Sequence, residues 1–389
     1  MKIAMCAPAD LHALARFCGQ DVEGVPPGLG STATTPLIEE LLRRGHEVTL
    51  FTLSNELAKE TRHEWGGLRV FTGPSRHYGA ARNLYWPEVA YLRRVIAKER
   101  PAFVHAHWTY EFALGALTLG IPLLTTIHDL PWNVLRQFRD RCRTVRLLIA
   151  YLVALRCHRY TAVSEDAANH FRRYFKPGGD IEIIPNFLKD SIFEVGHGMA
   201  NSDRPFTFGT ILSNWSIGKN GHAALKAFHA VSRVAPESRL IMMGTDYEQG
   251  GPAHRWARQH GLDARVTFAG MLPHEQMLRR VRDDVDVIVH PSLYEAFSMA
   301  VLESMALAKP IVAGYSTPGM RQALLEGDAG VLVDVRDSGA IARAMISLMT
   351  DSSLNQRVAR NAYQHVSSAY RKDSIVPRYE EIYGRMAYR

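Results

Sequence analysis

The sequence predicts an α/β fold made of two successive Rossmann-like domains, each built on a parallel sheet. Three observations carry that expectation. Short runs rich in Val, Ile and Leu, bounded by turn residues, recur along the chain and read as strands buried on both faces. Segments with helical apolar spacing separate them, and parallel neighbours need such crossovers. Near residues 186–204 the alternation lapses into Asn, Gly, Ser, Asp and Pro, then restarts. A chain of 389 residues, 47% hydrophobic and 22% charged, has ordinary globular composition and room for two domains.

Residues 2–7 read as the first strand, followed by a long segment ending in Gly28-Leu29-Gly30-Ser31-Thr32. A helix follows, with Pro36 in its first turn, Leu37, Ile38, Leu41 and Leu42 on one face and Gly45 at its end. Residues 46–52 are the second strand. Strands at 103–107, 122–128, 160–164 and 181–185 continue the pattern, with a helix at 110–119. After the lapse, strands are expected at 206–209, 239–244, 266–270, 285–289, 310–313 and 330–333, and residues 340–387 read as continuously helical. The expected domains are therefore 1–195 and 196–369. Ligands of open α/β sheets bind at the strands' carboxyl ends, so the active site is expected in a cleft where the two sheets' edges face.

Composition narrows the function classes. A formal charge of +7 suits an acidic partner, whether nucleic acid, an anionic membrane surface or a phosphorylated substrate. Cys6, Cys18, Cys142 and Cys157 show neither a disulfide framework nor metal-ligand spacing, which fits a reducing compartment. The start of the chain does not read as a secretory signal. The longest apolar run, Leu147 to Leu155, falls short of the roughly 20 residues that span a bilayer. A cytoplasmic protein is expected.

The informative stretch is His290 to Ala306. An apolar strand breaks at Pro291-Ser292, Glu295 lies in the following loop, and Met299, Leu302 and Met305 then take helical spacing with Glu303 among them. The first amides of a helix and the positive end of its dipole attract an anion. A carboxylate at Glu303 suits ribose hydroxyls. The pattern is nucleotide-shaped.

The segment Pro-Ser-Leu-Tyr-Glu-Ala-Phe-Ser-Met-Ala-Val-Leu-Glu-Ser-Met-Ala-Leu-Ala-Lys-Pro-Ile-Val-Ala, residues 291–313, resembles the signature of the retaining glycosyltransferases of family 4. That resemblance implies a GT-B fold, two Rossmann-like domains facing across a cleft, with the last helix, about 370–389, crossing back to the first domain. It implies transfer of a sugar from a UDP- or GDP-linked donor to a glycan, lipid-linked or small-molecule acceptor, with retention and without a metal or other cofactor. By resemblance Glu303 holds the ribose and Glu295 the donor sugar. The backbone of Ala296, Phe297, Ser298 and Met299 faces diphosphate and sugar, and Gly30 and Ser31 approach the phosphates. Lys219 neutralises the leaving diphosphate. Where the family usually has an Arg just after the glycine matching Gly209, this chain has Thr210, and Asn214 is a candidate to compensate. His128, in a Thr-x-His setting, matches the family's active-site histidine. His107 and Asp129 are acceptor-side candidates.

His105 and His107 share a strand face, which invites a metal, but no Asp-x-Asp accompanies them. The Arg-rich segment 136–146, followed by the Leu147 to Leu155 run and then Arg156 and Arg159, suits either an anionic inner-leaflet surface or a solvated cationic helix face. Nucleic acid is not expected as a partner, since only the charge balance speaks for it. The competing reading is a non-catalytic nucleotide-sugar-binding subunit.

Overall fold

The computed structural model describes residues 1–197 and 204–387. The chain divides into two compact units, Met1–Phe187 with Lys372–Arg389, and Leu188–Arg371.

The first unit holds an eight-stranded sheet of β1 (Lys2–Cys6), β2 (Glu47–Ser54), β3 (Thr61–Trp65), β4 (Leu68–Pro74), β5 (Val104–His107), β6 (Leu123–Ile127), β7 (Arg159–Ala162) and β8 (Ile181–Ile183). Its spatial order is β3-β4-β2-β1-β5-β6-β7-β8, parallel throughout except for the β3–β4 hairpin. That hairpin was not expected. Its signal is the Gly66-Gly67 turn between two short runs, with Gly66 at φ +58°. The predicted helix after the glycine loop spans Thr34–Arg43 and buries Leu37, Ile38 and Leu41. Strand order reverses between β1 and β5, so the loops after these strands flank the switch point.

The helix Lys372–Ala387 belongs to this unit. Its Ile375, Val376, Tyr379, Ile382, Tyr383 and Met386 share one core with Ile3, Met5, Leu37, Leu41 and Val48. The helical stretch 340–387 is in fact three helices, Ser338–Thr350, Ser352–Ala369 and Lys372–Ala387. Asp351 ends the first and caps the second by accepting the Leu354 N–H at 2.9 Å. Apolar spacing alone cannot see such a break.

The second unit holds a six-stranded sheet of β9 (Thr207–Ile211), β10 (Arg239–Met243), β11 (Val266–Gly270), β12 (Val287–His290), β13 (Ile311–Gly314) and β14 (Val331–Val333). The order β11-β10-β9-β12-β13-β14 is parallel throughout, with its reversal between β9 and β12. Residues 188–195, assigned to the first domain from sequence, pack in this second unit instead. Leu188 and Ile192 are buried in its core, and the Leu188 N–H donates to Tyr370 O at 2.9 Å. Turn-forming residues marked where the chain loses regularity, whereas burial of these two side chains decides where packing changes. Much of the expected linker, residues 198–203, lies outside the described residues.

Candidate active site

The loops after β9 and β12 meet at the second sheet's switch point, and there Lys219 and Glu295 come together. Asn220 takes the left-handed conformation at φ +55°, which Asn tolerates better than most residues. Its side-chain amide donates to Pro291 O (3.0 Å) and Val335 O (2.8 Å), while the Leu293 N–H donates to Gly218 O (2.8 Å). So clamped, Lys219 Nζ lies 2.5 Å from Glu295 Oε1, and His290 Nε2 lies 3.3 Å from the same oxygen. Burial would raise the Glu295 carboxyl, but the His290 hydrogen bond and the Lys219 charge outweigh it and hold the group at about 2. The carboxylate is ionised throughout the neutral range.

The helix Met299–Ala306 starts immediately after this loop, with Ser298 extended at its N-cap and no side chain capping the first amides. Phe297 and Met299 turn their side chains into the core, Phe297 edge-on to Tyr370 at 5.6 Å, so only their backbones remain candidates for ligand contact. Glu303 is 6% exposed and accepts a hydrogen bond from His274 Nε2 at 2.9 Å. That bond raises the His274 imidazole above its ordinary value despite partial burial. Lys309, also buried, donates to Arg282 O (2.8 Å) and Val285 O (2.7 Å), and burial lowers it to about 8. It ties the start of β12 to the end of the Glu303 helix.

Thr210, at the position of the missing Arg, is fully buried within β9. Asn214 lies in the same loop as Lys219, but its side-chain oxygen is buried without a hydrogen-bond partner, and its carbonyl accepts from Tyr247 at 3.4 Å.

In the first unit, His128 and Asp129 follow β6. His128 Nε2 lies 2.8 Å from His107 Nδ1, and its ring stacks on Trp108 at 4.2 Å. Burial pushes His128 down to about 3 and His107 well below its ordinary value. Both carboxylate oxygens of Asp129 accept from Tyr110 Oη at 2.9 Å, yet burial raises its carboxyl to about 6. His105 bonds Tyr383 Oη and Thr126 Oγ1, both at 2.7 Å, so it is a core residue. Among the described residues, no three His, Cys, Asp or Glu side chains group as metal ligands.

Gly30 takes φ +68° with open space where a Cβ would stand. Gly28 is the tighter position: a Cβ there would meet Ala9 O at 2.2 Å. Ser31 Oγ accepts the N–H groups of Ala33 (3.2 Å) and Thr34 (3.0 Å), which engages its hydroxyl in starting the helix.

The Arg-rich segment divides. Arg146 is only partly exposed and its charge is paired: it donates to Glu111 at 2.8 Å and lies over the rings of Tyr85 and Tyr110. Arg143 pairs with Asp140 at 2.9 Å. Leu148, Leu152 and Leu155 of the helix Arg141–Arg156 are instead exposed, at 56%, 51% and 74%. Beside them Leu84, Trp86, Val89 and Leu114 line an apolar groove of about 610 Å³. No described helix is long and apolar enough to cross a membrane.

His290, His274 and Asn220 were not singled out from sequence. His290 stood in the informative stretch, at the strand end where site residues gather. His274 carried no local signal, because its partner lies 29 residues away.

Comparison with known proteins agrees over both units. Residues 210–365 match the family described as Glycosyl transferases group 1, and residues 30–191 the one described as Glycosyltransferase Family 4. The chain is 23% identical over 391 residues to N-acetyl-alpha-D-glucosaminyl L-malate synthase of Bacillus anthracis, covering 92% of this chain and 94% of that protein. It is 29% identical over 293 residues to a Mycobacterium tuberculosis glycogen synthase, covering 73% and 69%. Among solved structures it resembles sucrose-phosphate synthase of Thermosynechococcus elongatus (TM-score 0.78, 17% identity, 99% of both chains). It also resembles Anabaena HepE in complex with UDP-glucose (TM-score 0.69, 18% identity, 99% of this chain and 100% of that one).

Proposed function

Because the chain belongs to family 4 of the glycosyltransferases and has the GT-B fold, we propose that it moves a sugar from a UDP- or GDP-linked donor to an acceptor hydroxyl with retention and without a metal. The observation that carries the donor assignment is the Lys219–Glu295–His290 cluster at the switch point, directly before the uncapped helix that bears Glu303. A relative of the same fold was solved with UDP-glucose.

In this reading the helix amides and Lys219 receive the diphosphate as the anomeric C–O bond breaks and negative charge moves onto the leaving oxygen. The lysine's three N–H donors let it hold Glu295 and a phosphate oxygen at once. Glu295, ionised and fixed, accepts from hydroxyls of the donor sugar, and Glu303 accepts from the ribose. The acceptor oxygen forms the new bond on the face the diphosphate leaves, and its proton passes to a donor phosphate oxygen. His128 is the first unit's candidate contact to the donor sugar, and His107 and Asp129 remain acceptor-side candidates. With Thr210 in place of the Arg, the helix start and Lys219 carry most of the phosphate charge.

The buried Thr210 also favours the second reading, a nucleotide-sugar-binding subunit without turnover. One experiment separates them. The protein is screened by thermal shift against UDP, GDP and their sugars, and any stabilising donor is then assayed for release of nucleoside diphosphate with sugar and glycolipid acceptors. Release with retained anomeric configuration by NMR supports the transferase. Stabilisation without release supports the binder, and inversion sinks the front-face route.

The exposed leucines and Trp86 further suit a phospholipid surface, with Arg93, Arg141 and Arg156, all exposed, facing anionic headgroups. We propose an anionic bilayer as that face's partner, which favours a lipid-linked acceptor.

A further inference from the structure

The contact between His107 Nδ1 and His128 Nε2, 2.8 Å long, holds one proton when both rings are neutral, so one ring must donate and the other accept. Both rings are neutral at working pH, since burial disfavours their charged forms. Two arrangements remain.

If His128 donated, the proton of His107 would sit on Nε2. That atom is sealed from solvent and has no hydrogen-bond partner. His105, whose ring lies 4.1 Å away, cannot serve it, because both its nitrogens are engaged by Tyr383 and Thr126. A buried N–H without an acceptor is rarer and costlier than an under-used acceptor. If His107 donates from Nδ1, its Nε2 carries only a lone pair and no proton is stranded.

We infer that His107 is a positioning residue: it donates Nδ1–H to His128 Nε2 and thereby fixes His128 with its own proton on Nδ1, presenting a hydrogen-bond donor to a ligand oxygen. A second feature holds that ring. Trp108, next to His107 in sequence, takes a left-handed backbone at φ +66°, unfavourable for a bulky residue, and stacks its indole on His128. The Trp108 N–H donates to Thr126 O at 3.0 Å, which keeps that conformation in place. His128 is thus held by a face contact and an edge contact, and its Nδ1 meets no protein acceptor among the described residues. That the ligand oxygen belongs to a sugar donor rests on the reading of His128 given above.

The test needs no ligand. The full chain is labelled with ¹⁵N-histidine and long-range ¹H–¹⁵N spectra are recorded at about pH 7, assigning His128 by substitution. The inference expects a protonated, pyrrole-type Nδ1 and a bare, pyridine-type Nε2 on His128. His107→Leu is expected to release that preference, and His107→Asn, whose amide sits near the lost Nδ1–H, to restore it. A protonated Nε2 on His128 in the wild type overturns the inference, as does an unchanged tautomer in a folded His107→Leu protein. The wild-type spectrum decides even where the leucine variant fails to fold. Kinetics then address the donor reading separately: His107→Leu should lower kcat/KM for the nucleotide sugar that turns over by about tenfold, the size of one neutral hydrogen bond, with the asparagine variant near wild type. A tautomer change without that loss removes His128 from the donor site and leaves its tautomer established.

Discussion

Lys219 Nζ lies 2.5 Å from Glu295 Oε1, so the lysine proposed to meet a departing diphosphate is already paired with the carboxylate proposed to hold the sugar. The pair is mostly shielded, with side-chain exposures of 23% and 14%. Each charge therefore depends on the other more than a surface pair would.

Lys219→Ala leaves Glu295 with His290 as its remaining side-chain partner among the described residues, in surroundings where burial favours the neutral acid. We expect a loss of roughly 1–3 kcal/mol in urea unfolding. We also expect a fall in turnover of about a hundredfold, the scale of losing one electrostatic stabiliser of a leaving group. Glu295→Gln should keep donor affinity and lose transfer. Acid unfolding fixes the sign of the pair's contribution. The folded carboxyl at about 2 lies below its ordinary 4.5, so the stabilisation is present above 4.5 and disappears as pH falls toward 2. Wild type and Glu295→Gln should converge in stability over that interval; a gap that persists undiminished at pH 2 contradicts the assignment.

Glu303→Ala should weaken UDP or GDP binding by about ten- to a hundredfold in calorimetry, the scale of one or two hydrogen bonds to a charged group. Equal affinity in the variant removes Glu303 from the ribose site. His274→Ala probes the same carboxylate. Its imidazole is raised by Glu303, so its share of stability is present below about 6.5 and fades as pH rises through the folded value. With the side chain 57% exposed, that share is small. The clearer readout is nucleotide affinity, whose pH dependence near neutrality should flatten in the alanine variant.

Both sheets, the informative loop and the Glu303 helix were legible because strand runs, turn residues and helical spacing are local signals. Glu295 and Lys219 were visible individually. Their contact was not, since it joins loops 76 residues apart through Asn220, a residue that no pattern marks. Ser31 and Gly30 were legible as a loop before a helix, yet Ser31's hydroxyl serves the helix start and the steric constraint falls on Gly28. Arg146 read as surface charge because sequence cannot place Glu111, Tyr85 and Tyr110 around it. His105 read as one of a metal-like pair, whereas a tyrosine from the last helix claims its ring.

Lys309 offers a pH test with the opposite sign. Its folded value of about 8 lies below its ordinary 10.5, so between these limits the unfolded chain binds more protons and stability rises with pH. Lys309→Met should remove that slope, and leave Arg282 O and Val285 O without their lysine donor. Urea midpoints at pH 7.5, 9 and 10 for both proteins check it. A wild-type midpoint that falls steadily over this range, with the methionine variant flat, is the wrong sign and rejects the lowered Lys309 value.

The exposed face of the helix Arg141–Arg156 yields the last prediction. Leu148, Leu152 and Leu155 recur at helical spacing on the solvent side, where water would select against them. Trp86, 64% exposed, and Leu84, 60% exposed, add to the same apolar groove, and Arg141 and Arg156 stand at the two ends of the leucine row. Leucines buried into acyl chains, with arginines at headgroup level, require anionic lipid and low salt for strongest binding. The protein should sediment with vesicles containing phosphatidylglycerol but not with phosphatidylcholine alone, and salt should weaken the binding. Leu148→Asp with Leu152→Asp should abolish sedimentation while the protein stays folded with only a modest loss of thermal stability, since about half of each side chain already meets solvent. Undiminished binding by that double variant, or loss of a dimer in sedimentation velocity in its place, assigns the face to something other than a bilayer.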